Sequence, residues 1–158
     1  MMTAMNPNET NKSWKASKRQ EAVQLYLSGA AGDVAGLIGV RVAGFPLALN
    51  LVDDADWIDP EELGSAAAGL VQVDRDNPAS VKRFQKLAAA TKTPLIAAAY
   101  DPPLAFVRSL IRTGAQDVIP LPLEMSDLES ALAPIAERLA RSEQLERAQH
   151  GRHQGLVR

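Results

Sequence analysis

A doubly wound α/β fold, with helices on both faces of a five-stranded parallel sheet, is the architecture the sequence predicts, on three observations. Short apolar runs bounded by Gly, Pro and Asp alternate with stretches whose apolar residues recur at helical spacing, the texture of βα units. The later connections between apolar runs hold a dozen residues or more, the length a crossover between parallel neighbours needs. The chain has 158 residues, enough for one ordinary domain to bury a core unaided.

That texture begins at Glu21. Residues 1–20 are polar and basic, with Lys12, Lys15, Lys18 and Arg19 against Glu9 alone, and read as a disordered basic arm. The folded domain is expected over 21–141. Its first strand is VQLYLS (23–28). The crossover that follows has a helical stripe, Val34, Leu37 and Ile38, diluted by Gly32, Gly36, Gly39 and Gly44. LALNLV (47–52) is the second strand, and a short connection around 60–68 leads to the third, GLVQV (69–73). Asn77 and Pro78 make a helix start, with Val81, Phe84, Leu87 and Ala88 on one face. After PLIAAAY (94–100), Asp101, Pro102 and Pro103 open a helix that turns Leu104, Val107 and Ile111 to the sheet and stops at Gly114. The fifth strand is DVIPL (117–121). Ser126 and Glu129 have capping-box spacing for a last helix through Leu128, Leu132, Ile135 and Leu139, where Pro134 predicts a kink or a restart. Residues 142–158 read as a polar helix end and a linker toward an absent downstream domain.

Composition removes several classes of function. A formal charge of −2 with no clustered basic excess in the domain argues against nucleic acid as a partner. The absence of cysteine excludes disulfides, thiolate nucleophiles and thiolate metal sites. No signal-type apolar segment and no run of spanning length occurs, so a cytoplasmic chain without membrane insertion is expected. SGAAGDVAGLIG (28–39) joins a strand to a helix, but lacks both GxGxxG and a GK[ST] ending, so no nucleotide cofactor is expected. DDADWIDPEE (53–62) has six carboxylates in ten positions without a metal-ligand spacing; a solvated loop or a partner-facing surface is the reading. His150 and His153 form an isolated HxxH in a polar tail, and no metal is expected there. Two histidines and no nucleophile-elbow serine make a hydrolase a poor reading.

In a doubly wound sheet, functional groups gather at the carboxyl ends of the strands, which draws attention to Ser28–Ala31, Asp74, Ala99 and Leu121. Here the chain resembles a response-regulator receiver domain over roughly 22–140. The resemblance implies a flavodoxin-like sheet in the order 2-1-3-4-5. It sets Asp74 of LVQVDRD at the phosphoacceptor position and Pro122 at the proline after the fifth strand, commonly preceded by a cis peptide. Ala99 then stands at the hydroxyl position, Leu121 at the lysine position, and SGAAG at the acid pair. NLVDDAD imitates that acid pair, but Asp54 precedes Asp74 by only 20 residues, so Asp53 and Asp54 belong to the end of the second strand. Two strand spacings, about 10 Å, would part them from Asp74. An opposite charge at 4 Å is worth about 4 kcal/mol at an effective dielectric of 20, so leucine for lysine removes the main reason for a charge switch. Asp74, Ala99, Leu121 and Pro122 are thus read as a degenerate phosphoacceptor site, with a structural and docking role for Leu121.

Within receiver-like domains, FVRSLIRTGAQDVIPLPL is similar to the N-terminal pseudo-receiver of the CpaE/TadZ proteins of tight-adherence (Flp) pilus assembly. That resemblance implies a non-catalytic module that places pilus machinery through protein contacts, often at a cell pole, ahead of an ATPase domain. HGRHQGLVR looks like the approach to such a domain, and the chain reads as one domain by itself or a piece of a longer protein. Phe106 and Leu110, flanked by Arg108 and Arg112, form a second stripe on the helix and a candidate interface, including a homodimer through the fourth helix, fifth strand and fifth helix. The plainer alternative packs Phe106 under the last helix. Two further readings remain: a phosphorylatable receiver using Asp74 to control an output domain such as a cyclase, and a small flavodoxin-like enzyme or ligand-binding protein.

Overall fold

The structure, a computed structural model, describes residues 22–28, 35–37, 39–53 and 55–157. The expected arm, most of the SGAAG stretch, Val34, Ile38 and Asp54 lie outside the described residues, as do the side chains of 149–157, His150 and His153 among them. The chain order is β1 (Val23–Leu27), a 3₁₀ turn (Ala35–Leu37), β2 (Arg41–Val42), β3 (Phe45–Leu51) and a second 3₁₀ turn (Pro60–Leu63). Then come β4 (Ala68–Gln72), α1 (Pro78–Ala90), β5 (Leu95–Tyr100), α2 (Leu104–Thr113), β6 (Ala115–Leu121) and α3 (Met125–Val157).

The sheet runs β2-β3-β1-β4-β5-β6. Five strands are mutually parallel and stand in the expected order, β3 and β1 followed by β4, β5 and β6. The addition is β2, two residues antiparallel to β3 on the outer edge. Ala43 and Gly44 close this hairpin with φ of 54° and 89°, the positive pair that a two-residue hairpin turn matching strand twist requires. Alanine at the first of those positions, in place of Asn or Asp, is why no turn was legible there. Short as it is, β2 covers only one end of the edge.

The strands β1, β4 and β5 bury both faces, as the middle of a sheet covered by helices on two sides must. Val23, Leu25 and Leu27 of β1 join Leu70, Ile96, Ile119 and Leu121 on one side, under Leu128, Leu132 and Ile135 of α3. Tyr26, Val71 and Ala97 face the other side, with Phe84 and Leu87 of α1, Leu110 of α2 and Ile58 and Leu63 of the connection after β3. The faces of α1 and α3 are therefore the predicted ones.

The face of α2 is not. Leu110 is 1 % exposed and Phe106 packs against the cluster around Phe84, whereas Leu104 and Ile111 are 63 % and 49 % exposed. The stripes 104/107/111 and 106/110 lie side by side on the helix wheel, and periodicity carries no information about which of two adjacent apolar stripes meets the sheet. Phe106 also packs on the α1 side, not under the last helix.

The helix ends follow local chemistry. The Asn77 side chain accepts from the Ala79 N–H at 3.1 Å with Pro78 in the first turn, as predicted. Gly114, at φ 132°, ends α2, its N–H donating to the Leu110 and Ile111 carbonyls. Asp101 does not open α2; Pro103 is the capping residue and makes no side-chain cap bond. In α3 the Leu128 N–H already donates to the Glu124 carbonyl, so Ser126 lies inside the first turn and not at its cap. Pro134 sits within α3, which continues past it and past 141 as one element to Val157. Pro134 is exposed, so the carbonyl freed by its missing N–H lies on the solvent side of the helix.

A crevice at the carboxyl ends of β1, β4 and β5

β1, β4 and β5 end side by side, and the chain segments leaving them enclose a crevice of about 320 Å³. Ser28, Gln72, Asp74, Arg75, Tyr100 and Asp101 are among the residues lining it. Backbone bonds hold this rim in place: the Val73 N–H donates to the Ala98 carbonyl at 2.8 Å and the Asp74 N–H to Ser80 Oγ at 2.9 Å. Asp74 Oδ1 accepts from the Asp76 N–H at 2.9 Å, so one carboxylate oxygen is engaged in its own turn. Gln72, only 5 % exposed, turns its side chain toward β1, where Oε1 accepts from the Ser28 N–H at 2.9 Å.

Asp74 thus lies where the sequence placed it, at a strand end and half-buried in a crevice. Ala99 and Leu121 do not join it. Ala99 is buried in β5 opposite Pro120 of β6. Leu121 is 5 % exposed and packs in the core between the sheet and α3. A docking role for Leu121 is therefore overturned, while its structural role stands: an apolar residue at the strand end completes the core where a lysine would have to reach out of it. Pro122 is exposed and follows a cis peptide. Asp53, exposed at the end of β3, is separated from β4 by β1, as its spacing required. Among the described residues no group of three or more His, Asp or Glu side chains converges as a metal site.

Although leucine stands at the lysine position, a cation does reach the crevice, Arg75. Its guanidinium lines the crevice and donates from Nη1 to the Asp101 carbonyl, bridging the turn after β4 to the turn after β5. Asp101 adopts φ 39°, a left-handed conformation that Asp tolerates better than most residues. Nothing in the motif pattern pointed to Arg75, because receiver positions are compared at strand ends and Arg75 is one residue beyond.

Two further residues beneath the crevice escaped the sequence reading. Arg83 of α1 is 4 % exposed, and its guanidinium donates to the Asp53 carbonyl at 2.7 Å, the Asp56 carbonyl at 2.9 Å and the Gln72 carbonyl at 2.9 Å. The available signal was its position four residues before Leu87, on the edge of the buried stripe. Tyr26 of β1 is buried, and its hydroxyl donates to Glu62 Oε1 at 3.0 Å. Burial pushes the phenol well above its usual value, and the Glu62 and Asp59 carboxylates push it the same way. Below about pH 10 both folded and unfolded chains hold that proton; above it the unfolded phenol ionises while the folded one resists, so stability is lost as pH rises. Tyr26→Phe should flatten this alkaline limb in urea titrations between about pH 9 and 12, at a neutral-pH cost near 1 kcal/mol for the lost hydrogen bond. An unchanged limb would mean that Tyr26 ionises as freely folded as unfolded.

The parallel order of the five strands, the crevice at the switch between β1 and β4, and helices on both faces can be set beside solved structures. A pilus assembly-related protein from Burkholderia pseudomallei aligns over 75 % of this chain and 92 % of its own, with 17 % identity and a TM-score of 0.59. CpaE, a pilus assembly protein from Caulobacter crescentus, aligns over 73 % and 93 %, with 12 % identity and a TM-score of 0.58. The signal receiver domain of a LuxO repressor protein from Vibrio parahaemolyticus aligns over 80 % and 98 %, with 18 % identity and a TM-score of 0.54. The chain has a receiver fold. No protein-family model matches the sequence, and no curated protein does. At such identities the likeness is one of fold, and it covers nearly the whole length of these receiver-type chains. No helix among the described residues is long and apolar enough to cross a membrane.

Proposed function

We propose that this receiver-type domain is a non-catalytic interaction module that carries no phosphoryl group, and that it serves pilus assembly. The observation that carries the reading is Leu121 in the core. A receiver reports a new charge at its phosphoacceptor aspartate through a lysine and a hydroxyl that change partners. In this chain the first position is filled by a buried leucine and the second by the buried Ala99, so a charge at Asp74 meets neither the lysine nor the hydroxyl that a receiver keeps at those two positions. Arg75 holds the Asp101 carbonyl without any added charge. The pilus assignment is supported by the similarity to CpaE-type structures and by FVRSLIRTGAQDVIPLPL. The message passed on is then one of shape, read by protein partners of the assembly machinery, including at a cell pole. Exposed Leu104 and Ile111 on α2, with Arg108 and Arg112, offer the surface.

Incubation with acetyl phosphate, or with beryllofluoride and magnesium, should leave the intact mass and the amide spectrum unchanged. An adduct on Asp74 that shifts amides of β5, α2 and β6 would establish the opposite. One observation favours that second reading, a reduced receiver controlling an appended output: Asp74 is half-buried in a crevice that it shares with the Arg75 guanidinium. Asp74→Asn separates the two, since it should abolish any such adduct and leave partner binding of the module intact.

A further inference from the structure

The acidic segment after β3 plays no part in the crevice, yet it is built with unusual care for a solvated loop. Ile58 is 2 % exposed and pins it to the core, while its neighbour Trp57 is 57 % exposed. Arg83 grips the Asp53 and Asp56 carbonyls from beneath, the Asp53 N–H donates to Asp56 Oδ2 at 3.1 Å, and Asp59 Oδ1 accepts from the Glu61 N–H at 3.0 Å. Asp53, Asp56, Asp59, Glu61 and Glu62, on either side of Trp57 in the segment, are all exposed. A tryptophan held outward on a backbone already fixed loses little entropy on docking, and tryptophan is among the residues that most often dominate interfaces.

Across the same face of the sheet, α2 presents the complement. Leu104 and Ile111 are exposed along it, with Arg108 and Arg112 beside them. The loop follows β3 and α2 leads into β6, four strand spacings apart in the sheet order, with α1 between. That separation is roughly 15–20 Å, so the two surfaces of one molecule do not meet. Pairing α2 with α2 across a two-fold axis would set arginine against arginine, a repulsive arrangement.

We infer that the acidic Trp57 loop of one copy docks on the Arg108/Arg112-rimmed stripe of α2 on a second copy, head to tail. This rests on the reading of the domain as an interaction module and names its partner as another copy of the chain. Apolar meets apolar and carboxylate meets guanidinium, and because the two surfaces are different and lie at opposite ends of the sheet, each copy keeps one free surface of each kind. Such a contact adds subunits without closing on itself. A weak, salt-sensitive array follows, suited to a module that accumulates in one place.

The test uses the full chain in sedimentation velocity from micromolar to millimolar protein, at low and high salt. The wild type should grow beyond a dimer with concentration, and less so in high salt. Arg108→Glu with Arg112→Glu removes one surface. Trp57→Ser with Asp53→Asn and Glu61→Gln removes the other without creating a charge that could pair with the new glutamates, sparing Asp56, Asp59 and Glu62, whose side chains hold the loop or Tyr26. Each variant alone should associate at least about tenfold more weakly. Their equimolar mixture should stop at a one-to-one pair, because each supplies the surface the other lacks. A wild type monomeric throughout, a loop variant that assembles like the wild type, or a mixture that fails to pair would each overturn the inference. None of these outcomes depends on phosphorylation of Asp74, so the acetyl phosphate result decides the parent reading separately.

Discussion

Arg83→Met should lower the unfolding free energy by about 3 kcal/mol or more, because hydrogen bonds from a charged donor to buried acceptors are worth about 1.5–3 kcal/mol each and three carbonyls lose theirs together. The guanidinium joins three pieces of chain distant in sequence: Asp53 and Asp56 after β3, Gln72 in β4, and α1 from which it projects. Methionine fills much of the volume and leaves the Gln72 carbonyl buried, and the Asp53 and Asp56 carbonyls partly buried, without a donor. Arg83→Lys keeps the charge but offers a single ammonium in place of a planar fork, and should recover only part of the loss. Urea denaturation reads both, and amide exchange should quicken first at 53–59. A midpoint unmoved by Arg83→Met would show that the loop and β4 hold together without the clamp.

Leu121→Lys is expected to destabilise by about 2–4 kcal/mol, the range for losing a buried leucine from a core, and to restore no phosphotransfer. Leu121 is 5 % exposed among Leu27, Leu128 and Leu132, so the new ammonium must either bury without a partner or drag the strand end outward. Leu121→Met, which conserves volume, should cost under about 1.5 kcal/mol and serves as the packing control. Thermal unfolding together with the beryllofluoride spectrum decides between outcomes. A stable Leu121→Lys protein that takes up beryllofluoride at Asp74 would mean that the lysine position is open and that the domain is one residue from a working switch.

Much of the architecture was legible before any coordinates. Short apolar runs and period-3.6 stripes, the Asn77–Pro78 start and the Gly114 stop are local chemistry, and the five parallel strands, α1 and α2 exist within a few residues of their expected bounds; the stripe after β1 yields only the 3₁₀ turn Ala35–Leu37 among the described residues, and α3 runs past 141 to Val157. The β2–β3 hairpin escaped because two residues carry no period, and Ala43 hides a turn usually marked by Asn or Asp. The face of α2 was misjudged because Leu104, Phe106, Val107, Leu110 and Ile111 leave two candidate stripes, and the choice between them is made by how the turn after Tyr100 aims the helix.

Of the candidate site, the position of Asp74 and the separation of Asp53 from it could be counted along the chain. Three features could not: the inward packing of Leu121, the reach of Arg75 to the Asp101 carbonyl, and the burial of Arg83. The sequence by itself determined the parallel sheet, because that follows from periodicity and spacing, and its resemblance to receivers implied the order of the five parallel strands and the absence of lysine and hydroxyl from the switch positions. Tertiary structure alone decided which cations serve the interior and which apolar residues meet water. A guanidinium's partners are backbone carbonyls contributed by segments far apart in the chain, and those are set only when the sheet has assembled around them.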